Sequence, residues 1–92
     1  MPIPKEDRAE YQRKRRDKRK DLLIERFGGK CADCGGSFHK AAYDFHHINP
    51  LEKNFEIAPA LDRKWDIILE EVDKCVMLCS NCHRVRHYRE DR

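Results

Sequence analysis

Cys31 and Cys34 form one C-x-x-C pair and Cys79 and Cys82 a second. Four thiolates at about 2.3 Å meet the tetrahedral preference of Zn²⁺ and leave no open position, so such a site is structural. The 44 residues between the pairs exceed the roughly 15–20 of a simple zinc ribbon, so something is inserted between the two knuckles. Cys75 is left over and reads as a small core residue on a strand. Four histidines accompany this frame: His46 and His47 within the insert, His83 and His87 in and just beyond the second knuckle. His83 and His87 are four apart, so on a helix they share one face and can chelate one cation. Two such ligands need a third. His46 is the natural candidate, because a turn at Asn49-Pro50 can bring the end of a strand over that face once zinc pins strand and helix together. His47 is then the free base, since imidazole titrates close to neutrality and is the commonest general base for that reason.

The segments Asp44-Phe45-His46-His47-Ile48-Asn49-Pro50 and Leu78-Cys79-Ser80-Asn81-Cys82-His83-Arg84-Val85-Arg86-His87 together resemble the HNH endonuclease family. The likeness is to its zinc-stapled branch, common among phage and mobile-element proteins, and spans about residues 28–88. The resemblance implies an α+β fold: a small ββα-metal domain of the His-Me finger, treble-clef-like kind, stapled by a four-cysteine zinc. It implies hydrolysis of DNA phosphodiester bonds, by nicking or double-strand cleavage, to a 5′-phosphate and a 3′-hydroxyl. In that scheme His47 activates a water that attacks phosphorus in line. A metal bound by His46, His83 and His87 neutralises charge on the phosphate and the departing sugar oxygen. Three imidazoles suit Zn²⁺, Ni²⁺ or Mn²⁺ better than Mg²⁺, although the family often works with Mg²⁺ or Mn²⁺, so four metals stay open for that position.

Several details depart from the family pattern or need special geometry. The family's middle Asn falls at Lys74, nine residues before His83. Its bracing role passes to Asn49, Asn54 or Asp73, or the loop is looser. Adjacent residues on a regular strand face opposite ways, so a bend is expected between His46 and His47 if both are to serve one phosphate. Asp44 is either a spare metal ligand or a carboxylate bonded to a knuckle or a ring nitrogen. His39, alone in a polar loop, reads as a surface residue.

The elements that must position these groups are short. Residues 4–27 read as a charged helix whose apolar residues gather at its end, Leu22, Leu23, Ile24 and Phe27, and Gly28-Gly29 terminates it. This gives a leading basic helix over 1–27 and an HNH domain over 28–92. A strand is expected over 42–48, and a helix over about 59–74 carrying Leu61, Trp65, Ile68, Leu69 and Val72 as a core row with Trp65 as anchor. A second strand covers 75–78, and a final helix carries the last histidines, with Ser80 as its cap.

Composition bounds the remainder. A 92-residue chain with 39% hydrophobic and 40% charged residues has a thin core, so a metal staple is expected to supply folding energy. Residues 1–27 hold ten Lys/Arg against six Asp/Glu, whereas 28–92 hold ten against eleven. That asymmetry suits a polyanion. DNA is the expected partner, with Arg13, Lys14 and Arg16 on the first helix and Arg84, Arg86 and Arg89 on the last against phosphates. No apolar stretch is long enough for a membrane span and the start of the chain is too charged for a signal core, so no membrane partner and a cytoplasmic location are expected. One active site cuts one strand, so a homodimer or a phage packaging partner is the expected companion for double-strand cutting. Two readings compete: a zinc-finger-like DNA-binding module without catalysis, and a toxin-like nuclease acting on RNA.

Overall fold

The computed structural model describes residues 5–90; Pro4, placed by sequence in the first helix, lies outside them. The chain is a small α+β structure with three helices and one two-stranded sheet. Helix α1 runs Lys5–Arg26, strand β1 Tyr43–His47, helix α2 Trp65–Val72, strand β2 Cys75–Cys79 and helix α3 Ser80–Glu90. Short 3₁₀ turns at Lys40–Ala42, Pro50–Glu52 and Ala58–Ala60 fill the connections.

Helix α1 ends where its glycines stand. Gly28 and Gly29 take φ of 81° and 73°, and their amides turn back to the carbonyls of Glu25 and Ile24 at 2.9 Å each, closing the helix as a left-handed cap does. Residues 7–15 of it are solvent-exposed, while its last turns seat Leu23 at the centre of the core, with Ile24 and Phe27 packed beside it. Leu22 points away and is 45% exposed. The helix is tied sideways as well. Arg19 donates to the carbonyls of Leu61 and Arg63 and lies over the Trp65 ring, Lys40 pairs with Asp17 and Asp21, and Arg26 pairs with Asp73.

The strands pair antiparallel in unbroken register, from Tyr43 opposite Cys79 to His47 opposite Cys75. Alternation sends Tyr43 and Phe45 into the core, where they meet Ile57, Leu61, Ile68, Val72 and Met77. The bend expected between His46 and His47 is not present: the ladder stays regular to its last residue. Its end supplies the access instead, as both rings border one cleft beyond the final pair.

The helix expected over about 59–74 is shorter. Pro59 lies in a separate 3₁₀ turn, and Lys64 is extended (ψ 135°), so only Trp65–Val72 is α-helical. Trp65 accordingly sits at a helix start and at the rim of the core rather than at its centre, half-buried under the Arg19 guanidinium. Ser80 spends its hydroxyl proton on the Ala42 carbonyl, 3.1 Å away, which links the start of α3 to the start of β1. Among the described residues no helix is long and apolar enough to cross a membrane.

Leu23 is fully buried at the junction of α1 and the sheet. Leu23→Ala is expected to lower the unfolding free energy by about 2–5 kcal/mol. A urea titration reads this as an earlier midpoint at unchanged slope.

Candidate metal centres

The two knuckles meet because one is built onto the end of β2 and the other is docked against its side. Cys79 closes β2 and Cys82 lies in the first turn of α3. The Cys31–Cys34 loop is fastened to β2 by the Ala32 amide donating to the Met77 carbonyl at 2.9 Å. Within that loop the Gly35 amide donates to Cys31 O and the Cys31 amide to Gly36 O, with Gly35 at φ 70° making the reversal. A Cβ on Gly36 would lie 2.7 Å from the Phe38 ring, so the turn also closes tightly against its own aromatic neighbour.

One sulfur from each of the four cysteines lies within 4.8 Å of the others. Cys34 Sγ and Cys79 Sγ are 4.0 Å apart; the edge of a tetrahedron with 2.3 Å metal–sulfur bonds is about 3.8 Å. The Gly36 and Cys82 amides donate to Cys34 Sγ and Cys79 Sγ, as they do around bound thiolates. Electrostatics fits as well. Burial raises the Cys31 thiol, but the amides of Cys34, Cys79 and Asp33 outweigh it and bring it down to about 6. Cys82 is pushed up to about 12, chiefly by the hydrogen bond with Cys79 and then by burial and the other two sulfurs. An ionised Cys31 makes ionisation of Cys82 harder, a repulsion that a cation between them removes. These four residues are placed to hold a structural metal. Cys75 is apart from them: it is buried in the core, its thiol donates to the Glu71 carbonyl, and burial pushes it up to about 12.

A second cluster lies on the other face of β1. One ring nitrogen each from His46, His83 and His87 lies within 4.8 Å of the others. Nε2 of His83 and His87 are 2.9 Å apart, near the roughly 3.0 Å separating two donors at right angles around a metal with bonds of about 2.1 Å. Asp44 and His46 share a strand face, as alternation requires, and both look toward α3. Asp44 is 3.1 Å from Nδ1 of His83, so the carboxylate accepts from the Nδ1 proton and leaves the Nε2 lone pair free for a metal. Of the two roles open to Asp44, the partner of a ring nitrogen is the one the geometry favours. Glu90 Oε1 is 3.2 Å from Nε2 of His46 in a similar way.

His47 lies outside that trio and on the opposite face. Its Nε2 is 2.8 Å from Oε2 of Glu71, a side chain only 2% exposed. Burial raises the Glu71 carboxyl, but Lys74, the Asn54 amide and His47 together outweigh it and hold the group at about 2, firmly ionised. An ionised acceptor fixes the tautomer: Nε2 carries the proton and Nδ1 the lone pair. Lys74 itself braces the loop after β1. Its Nζ reaches Glu71 Oε1 at 2.9 Å and the Glu52 carbonyl at 3.0 Å, while its own carbonyl accepts from the Ile48 amide. Neither Asn49, Asn54 nor Asp73 takes the bracing role by its side chain. Asn49 caps its own 3₁₀ turn, Asn54 contributes its backbone amide, and Asp73 pairs with Arg26. The sequence had passed that role to Asn49, Asn54 or Asp73 or to a looser loop, and Glu71 was missed, because a Glu inside an amphipathic helical row reads as its solvated face.

The cleft bordered by His46, His47, His83, His87, Lys53 and Glu90 encloses about 140 Å³. The expected phosphate contacts divide. Arg13 and Arg16 face a larger groove beside this cleft. Lys14 is exposed and pairs with Glu10 one turn away. Arg84 is exposed on α3. Arg86 instead makes a two-pronged ion pair with Asp33 at 2.8 and 2.7 Å, which clamps α3 to the first knuckle. His39 is exposed, as expected, and its Nδ1 caps the turn before β1 by accepting from the Ala41 amide.

No family model, no curated protein and no solved structure matches this chain.

Chelating the metal, or Cys82→Ser, is expected to lower the melting temperature by on the order of 10 °C or more, read by circular dichroism with metal content measured in parallel. Glu71 supports a second expectation. Its folded value lies below its ordinary 4.5, so its contribution is complete above pH 4.5 and disappears as pH falls toward 2. That shift corresponds to about 3 kcal/mol at most. Glu71→Gln should therefore be less stable than the parent at neutral pH, and the difference should shrink steadily below pH 4.5 in parallel denaturant titrations.

Proposed function

We propose that this chain is a metal-dependent endonuclease of the HNH type, with a ββα-metal centre stapled by a zinc ion on Cys31, Cys34, Cys79 and Cys82, and that it hydrolyses DNA. The observation that carries the reading is the convergence of His46, His83 and His87 on one point, beside a fourth histidine held by its own carboxylate. In a zinc-finger-like binding module a second metal would only rigidify the fold, and the carboxylate-held His47 beside it would have no water to activate.

His46, His83 and His87 would hold a divalent cation, Zn²⁺, Ni²⁺, Mn²⁺ or Mg²⁺, which would supply positive charge to the phosphate and the departing oxygen. The protein's own residues do the rest. His47 takes a proton at Nδ1 from a water whose oxygen attacks phosphorus, and Glu71 stabilises the imidazolium that results. The P–O3′ bond breaks on the opposite side, and the 3′-oxygen leaves with a proton from solvent. Asp44 and Glu90 keep the rings of His83 and His46 oriented. Lys74 and Glu71 hold the loop after β1, so that His46 and His47 approach the same cleft from opposite faces of the strand. One centre of this kind cuts one strand, which makes a homodimer or a packaging partner the route to a double-strand break.

The test is supercoiled-plasmid nicking across the four metals, with structured RNA as a competing substrate. The parent should nick plasmid with at least one of them. His47→Ala should lose about 10²–10⁴-fold in rate while its zinc content and DNA affinity stay at the parent's level. A His47→Ala protein that cuts as fast as the parent removes the assignment.

A further inference from the structure

A groove of about 390 Å³ lies between α1 and the outer side of β1. It shares Phe45, Glu56 and His83 with the histidine cleft, so the two form one continuous depression. Its floor is apolar, built from Phe45, Ile57, Ala58 and Leu61, and its α1 wall carries Arg13, Arg16 and Lys20, spaced to share one helix face. The acids around it are already committed: Asp17 to Lys40, Asp44 to His83 and Glu56 to Lys53. Of the three cations only Arg16 has an acidic partner among the described residues, Asp62 at 3.7 Å. The groove therefore presents positive charge above an apolar slot.

Phosphates alone would need only the cations, and a paired duplex keeps its bases stacked inside. An apolar slot beneath a basic rail suits a nucleotide whose base is free to enter it, with the base on the floor and its phosphates along α1. We propose that this groove is a subsite for one unpaired nucleotide neighbouring the cleaved phosphate. The substrate is then single-stranded or locally unpaired nucleic acid rather than continuous duplex. This assignment rests on the nuclease reading for its placement next to a scissile bond; nucleotide binding in the groove does not depend on it.

The test is fluorescence anisotropy of the zinc-loaded full chain with a labelled short oligothymidylate and with a duplex of equal length, without added Mg²⁺ or Mn²⁺. Ala58 is exposed and lines the groove, so Ala58→Phe fills it without replacing a buried core residue. The parent should prefer the single strand. Ala58→Phe, with zinc content and circular dichroism like the parent's, should bind it about tenfold more weakly and lose the preference. Arg13→Ala with Lys20→Ala should weaken both ligands and flatten the salt dependence for the single strand by roughly 1.4 in slope. If Ala58→Phe binds the single strand as tightly as the parent does, the groove is not a nucleotide subsite. Hydrolysis of bis(p-nitrophenyl) phosphate separates the two readings, since that ester has no nucleoside to fill the groove. Ala58→Phe should hydrolyse it at the parent's rate. A parent that cleaves neither this ester nor DNA, yet prefers the single strand, retires the nuclease reading and upholds the subsite.

Discussion

Two paired strands of five residues do not hold a shape in water by themselves. Here the ribbon is clamped at both ends. At one end the four sulfurs gather Cys79 of β2, Cys82 of α3 and the loop after α1 into one knot. At the other, the ionised Glu71 carboxylate collects the last residue of β1, the amide of Asn54 and the ammonium of Lys74. Everything chemically interesting lies between these clamps, on or beside a strand whose register they preserve.

The second clamp is a buried charge, and a buried charge is tolerated only when it is paired and hydrogen-bonded. Glu71 meets that condition: Oε1 receives Lys74, and Oε2 receives both Asn54 and His47. No buried side-chain nitrogen or oxygen lacks a hydrogen-bond partner among the described residues. The same carboxylate that stabilises the fold sets the tautomer of His47, so stability and chemistry are coupled in one group. A surface carboxylate, screened by water, could not impose a tautomer so firmly.

Charge is also what fastens α1 to the body. Its exposed half carries no apolar stripe, and only its last turns contribute to the core. Arg19, reaching two carbonyls and stacking over Trp65, does what a longer hydrophobic face would otherwise have to do. The consequence is that the basic face of the helix is held over β1 and next to the histidines, rather than swinging free as an arm.

Much of this molecule was readable from local pattern. C-x-x-C spacing, the four-residue interval between His83 and His87, the Gly28-Gly29 stop and strand alternation at Tyr43 and Phe45 all act over a few residues, where chain geometry leaves little choice. They were enough to anticipate the thiol cluster and the three-histidine cluster. The tertiary structure decided what depends on partners distant in sequence. It assigned Glu71 to His47 across 24 residues and Arg86 to Asp33 across 53, and it made Lys74 the brace of a loop more than 20 residues before it. It also started α2 only at Trp65, after Pro59, and replaced an expected bend in β1 with a cleft at the end of the ribbon. A charged side chain within a helix looks alike in sequence whether it faces water or a buried ring, because only the fold determines which charge loses its water and must find a partner.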